Sequence, residues 1–212
     1  MTPEQRKQQT ERLLRTEGYP VNVHLPCIEP DSDTHLRSPR VVGTRLLCLF
    51  CVVGTAFQLS NEKWKRYLQD RGFWADLSPR EQRFISEPSQ AEAHQLTWRC
   101  EAMVPLMWAL GLFGELPLPR HETNTEAIVD RLPALNDPPE PFLQSLALRS
   151  IAEILDASDL IYRLHWATRD ASLVGRPVRG GLHPSIVQEW HHAINWLTCY
   201  QDADWDDIST DT

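Results

Sequence analysis

The sequence predicts a mostly α-helical protein, a compact single-domain multi-helix bundle with a short extended segment near the N-terminus. Three observations predict it. Ser78-Pro-Arg-Glu81, Ser89-Gln-Ala-Glu92 and Ser150-Ile-Ala-Glu153 each place a glutamate three residues after a serine. In that pattern hydroxyl and carboxylate satisfy each other's backbone N–H groups at a helix start. Each box opens onto residues whose apolar side chains recur at helical steps. Finally, 212 residues with 42% hydrophobic content and eight Trp provide enough apolar area for a substantial core.

In chain order, Pro3 to Thr16 reads as a polar helix stopped by Gly18, the residue type that favours the left-handed position past a helix end. Tyr19 to Pro26 alternates apolar and polar residues and reads as extended. Ser38-Pro39 opens an apolar helix to about Leu59, with the stripe Val42, Leu46, Leu49, Val53, Phe57. A second stripe of small residues, Thr44, Cys48, Cys51 and Thr55, leaves room for a close helix neighbour. Gly43 and Gly54 work against this helix. Asn61 caps a short helix ending at Gly72, and the Ser78 box starts another. The Ser89 box opens a long helix to Gly111, kinked where Pro105 cannot donate to the carbonyl of Glu101. Leu116 to Pro141 is a Pro-rich connection with one short helix near residues 125–131. The Ser150 box opens a helix towards Arg169. After a loop from Gly175 to His183, Pro184 starts a last helix ending near Tyr200. The helices near 40–59, 90–111, 151–169 and 184–200 form the expected core. The acidic tail, residues 202–212, carries Trp205 and Ile208 with which to dock.

A net charge of −8 works against unassisted binding to nucleic acid or an anionic membrane and suits a basic protein partner. The longest apolar run, Leu46 to Phe57, is short for a bilayer span. Five Cys, an odd number, lie in or near apolar stretches, and the chain starts without a signal-peptide pattern. Reduced thiols in a cytoplasm are the expectation.

Three blocks carry a family resemblance: Trp98-Arg-Cys-Glu-Ala with Trp108-Ala-Leu-Gly, Leu148 through Ala167, and Glu189-Trp-His-His-Ala-Ile-Asn-Trp-Leu with the terminal Asp204-Trp-Asp-Asp-Ile. With the Ser78 box and Leu36-Arg-Ser, they resemble a bacterial family known as domain of unknown function 4272, from about Arg12 to the end of the chain. The resemblance implies no activity and no catalytic residue.

The candidate site is a polar cluster between core helices: His94, Glu101, Asp159, Arg163, Glu189 and His192. Asp159 and Arg163 are four apart and can pair on one helix face. Glu189 and His192 share an edge of the last helix. Ionisable groups beside a buried apolar stripe must find partners. Glu189-Trp-His-His192 is a single Glu-x-x-His, whereas bundle di-iron sites use two such pairs. Asp202, Asp204 and Asp206 have the spacing of the first ligands of a calcium loop, but Asp207 stands where that loop needs Gly. Cys48-Leu-Phe-Cys51 lies mid-helix, where thiols are inert. No cofactor is expected. The leading expectation is a non-catalytic binding or interaction protein with a structural polar cluster. The alternative is an enzyme or a small-ligand or metal binder using that cluster.

Overall fold

The computed structural model describes residues 1–58 and 61–212. Among the described residues the fold is helices and short 3-10 turns, with no strand. The helices are α1 (Pro3–Thr16), α2 (Pro39–Ala56), α3 (Asn61–Asp70), α4 (Pro79–Ser86), α5 (Gln90–Leu96), α6 (Arg99–Ala109), α7 (Thr125–Val129), α8 (Glu140–Ser145), α9 (Ile151–Leu173) and α10 (Pro184–Leu197). The mostly α-helical class is therefore the observed one.

The caps explain most helix starts. Ser78 and Ser150 form complete capping boxes with Glu81 and Glu153. Ser89 accepts from the Glu92 N–H without the reciprocal bond. Thr2 and Gln5 form a further complete box at α1, and Ser38 caps α2. The predicted end of the second helix at Leu59 lies outside the described residues.

Three local expectations differ from the structure. Tyr19–Pro26 joins no ladder, and a turn interrupts it near Leu25. Lys7 instead holds this segment by donating to the carbonyls of Val23 and Leu25. The helix expected over 90–111 divides into α5 and α6 at Thr97-Trp98, ahead of Pro105, which sits buried inside α6. The Thr97 hydroxyl donates to the His94 carbonyl at 2.9 Å, an alternative partner that ends the helical ladder there. The Pro-rich connection ends in α8, where Pro141 occupies the first turn and Leu143 is buried.

α2 is the axis of the fold. Val42, Leu46, Leu49 and Val53 belong to a core shared with α6, α9 and α10, and Trp205 joins it. Cys48, Cys51 and Val52 face a second core with Trp64, Leu68, Phe84 and Leu96. The two glycines of α2 serve close packing. A Cβ at Gly54 would come within 2.5 Å of the Trp64 ring, and one at Gly43 within 2.3 Å of Leu146. Phe57, expected on the buried stripe, is 50% exposed. By length and composition α2 is long and apolar enough to cross a membrane, and 72% of it is buried inside the fold.

Candidate functional site

The structure distributes the six predicted residues over separate places. Asp159 and Arg163 pair on α9 through two bonds of 2.8 and 3.0 Å. Their neighbours are Glu11 of α1, 3.9 Å from Arg163, and the Pro26 carbonyl. Glu101 is buried where α6 meets α10, and its Oε1 accepts from the Thr123 N–H at 2.8 Å. Glu189 pairs with Arg99 at 2.8 Å. His192 is buried edge-on to Trp205, with ring centroids 4.6 Å apart. His94 is exposed. Glu189 and His192 line one small cavity of about 230 Å³ with Arg80 and Arg99. No hydrogen bond or ion pair joins Arg163 to Glu101, Glu189 or His192 among the described residues. The convergence expected from helix spacing fails because α1, an element outside the expected core, covers the Arg163 face of α9.

Burial dominates the titration of these groups. It pushes the Glu101 carboxyl up to about 7 against the N–H of Thr123, which favours the ionised form. Burial also raises Glu189, opposed by the charge and hydrogen bond of Arg99. His192 is pushed down to about 2, first by burial and then by the charges of Arg99 and Arg45. Glu101→Gln should therefore stabilise the fold by about 1–3 kcal/mol above pH 7, where the parent buries a charge that the amide lacks. Thermal melting at pH 6 and pH 8 checks this: the gain should be larger at pH 8.

Among the described residues no three or more His, Cys, Asp or Glu side chains gather so as to hold a metal ion. The tail aspartates show why. Asp206 accepts from the Arg80 backbone N–H at 3.0 Å. Asp204 precedes the 3-10 turn Trp205–Asp207, and Asp202 lines a different cavity. Trp205 anchors the tail at 2% exposure, under the guanidinium groups of Arg45 and Arg99 and edge-on to Trp196. Arg37 ties the same region down, donating to the carbonyls of Trp196 and Ala203.

The largest feature beneath the tail is a cleft of about 600 Å³ between residues 26–35, α9, α10 and the chain end. His191, Asn195 and Tyr162 form its inner wall. His191 Nδ1 lies 2.8 Å from His165 Nδ1, and His191 Nε2 lies 3.2 Å from Asn195 Nδ2. Asn195 Nδ2 also donates to the Ser209 carbonyl at 2.9 Å. With Asn195 donating to both, His191 Nε2 accepts, its Nδ1 carries the proton, and His165 Nδ1 accepts in turn. Burial pushes His165 down to about 4 and His191 to about 3. At the rim, Cys199, Gln201 and Asp202 all adopt left-handed backbone, with φ of 52°, 56° and 52°. Strained backbone of this kind, which only surrounding structure can hold, clusters at functional sites.

The chain matches the model of the family described as domain of unknown function DUF4272 over residues 6–208. It belongs to that family. No curated protein and no solved structure matches the chain. For this DUF4272 member, the cleft residues His191 and Asn195 were missed in the sequence. The available signal was their spacing of four, which stacks two polar side chains on one face of α10.

Proposed function

We propose that this protein is a non-catalytic binding protein whose cleft beneath the C-terminal tail takes a small organic cation. One observation carries the reading. Glu29, Asp33, Asp202 and Asp211 line the cleft, and no Lys or Arg does. None of these four carboxylates forms an ion pair among the described residues. Low-dielectric walls around like charges focus a negative potential that attracts cations. Tyr162, Tyr200 and the imidazole of His35 add aromatic surface, which favours organic ammonium groups over bare ions. The volume lies within the range of small-molecule sites, about 300–1,000 Å³. A binding role is favoured over catalysis because both ring nitrogens of His191 are engaged and its proton affinity is low. The reading keeps the positive charge of the basic protein partner expected from the net charge and puts a small molecule in that protein's place. A reducing bacterial cytoplasm belongs to the same proposal, supported by Cys48 and Cys51, whose thiols burial keeps protonated.

Titration calorimetry with spermidine, agmatine and lysine amide tests it. At least one amine should bind at low salt, more weakly at high salt. The double variant Asp33→Asn/Asp211→Asn should weaken binding roughly tenfold, since each exposed pair contributes about 0.2–1 kcal/mol. Silence from every amine at low salt overturns the reading.

A further inference from the structure

A second cavity, which shares no lining residue with the first, has the reverse character. It measures about 460 Å³ and lies between α2, α3, α6 and residues 125–135. Its walls include Phe50, Trp64, Met103, Ile128 and Leu132, and among the described residues Lys63 is the one charged residue that lines it. The wall is fixed in place: the Trp64 ring rests directly on Gly54 and meets Phe50 edge-on, with centroids 5.2 Å apart. At the mouth, Phe57 and Val129 are each 50% exposed, which leaves apolar surface in water. Lys63 Nζ lies 5.5 Å from the Trp64 ring centroid and has no ion-pair partner among the described residues. The next cavity shares Lys63 and Leu135 and adds Arg66 and Arg71, against Glu62 and Asp70. An apolar interior with an unpaired cation at its entrance is complementary to a molecule that is apolar along its length and negative at one end.

We propose that this cavity binds a free single-chain amphiphile with an anionic head, a medium-chain fatty acid in chemical class, its chain between Trp64 and Leu132 and its carboxylate at Lys63. Several features support this assignment. The cavity falls within the size range of ligand sites, about 300–1,000 Å³, whose walls are mostly apolar with few polar groups that fix orientation. Binding would cover the exposed rings and methyls at the mouth, a gain proportional to the apolar area removed from water. In a chain of net charge −8, a basic entrance is a local reversal that selects the sign of the head group. The site is independent of the cation cleft in position and in charge, so either can fail without the other.

Titration calorimetry of the full chain with decanoate, and separately with decyltrimethylammonium, tests the proposal. Decanoate should bind at one site per chain, and the cation of equal chain length at least about tenfold more weakly. Lys63→Glu, at an exposed position, should weaken decanoate about tenfold, because reversal replaces an exposed attraction with a repulsion of similar size. Val129→Trp, at the half-exposed mouth, should block the cavity and abolish decanoate binding while the melting temperature stays near the parent's. The proposal is overturned if decanoate gives no heat. It is equally overturned if both variants bind decanoate like the parent, or if the protein sediments with phosphatidylglycerol vesicles yet ignores free decanoate.

Discussion

Replacing Arg163 by methionine is expected to destabilise the fold by about 3–5 kcal/mol, the cost of leaving one member of a buried ion pair uncompensated. Asp159 has no exposed surface and Arg163 is 2% exposed. Among the described residues, every hydrogen bond of the Asp159 carboxylate comes from Arg163, through Nε at 3.0 Å and Nη2 at 2.8 Å. The methionine keeps most of the packing volume but returns neither bond, so a carboxylate would remain in the interior without donors. The carbonyl of Pro26 would also lose its 3.1 Å donor. The double variant Asp159→Leu/Arg163→Met should recover most of the loss, because a well-packed apolar pair is often as stable as the ions it replaces. Urea denaturation with unchanged slope measures both. Additive single and double losses would show that the two side chains do not act as a pair.

That pair also shows how far the sequence is legible. Its spacing of four on a capped helix is local information, and local rules state it correctly. The same is true of the helix starts, where Ser78, Ser89 and Ser150 each accept the predicted backbone N–H. What local rules cannot state is which helix lies opposite. α1 reads as a polar outlying helix, yet Arg6, Thr10, Glu11 and Leu14 are buried. Arg6 reaches Asp31 and Asp156, at 3.0 and 2.7 Å, and so stitches α1 onto α9. Polar residues hide this face from a hydrophobic pattern, because their burial is made tolerable by partners distant in sequence. The expected cluster misplaces Arg163 for that reason. The cleft was illegible for a related one: residues 26–35 and the tail meet across α10 only after folding, and neither segment has a periodicity that announces it.

The pH dependence is the second large effect, and its sign follows from three buried imidazoles. His165, His191 and His192 are held at about 4, 3 and 2, below the ordinary value of 6.5. Each is neutral in the native state, while the unfolded chain takes up a proton on each below pH 6.5. Their stabilising contribution is therefore complete above pH 6.5 and is lost as pH falls through the window below it. Glu101 has the opposite sign. Its native value, raised to about 7 from 4.5, means that the native state holds the proton more tightly, so stability grows as pH falls from 7 towards 4.5. Glu189, also raised, acts in the same direction as Glu101. Three imidazoles against Glu101 alone leave an excess of about two protons on unfolding, and Glu189 reduces it, so at most about 4 kcal/mol is lost between pH 6.5 and pH 5 at 1.4 kcal/mol per unit per proton. That is a large part of the 5–15 kcal/mol typical of a folded domain. The His165–His191 bond gives the loss its structural meaning. A proton on His165 Nδ1 sets two donors against each other at 2.8 Å, and a proton on His191 Nε2 opposes the Asn195 amide that holds Ser209 of the tail. Melting temperature should fall steeply from pH 6.5 to pH 5, and His165→Leu/His191→Phe should flatten that fall by about two protons. A melting temperature that holds or rises over the same interval would mean that these rings reach water before the fold opens.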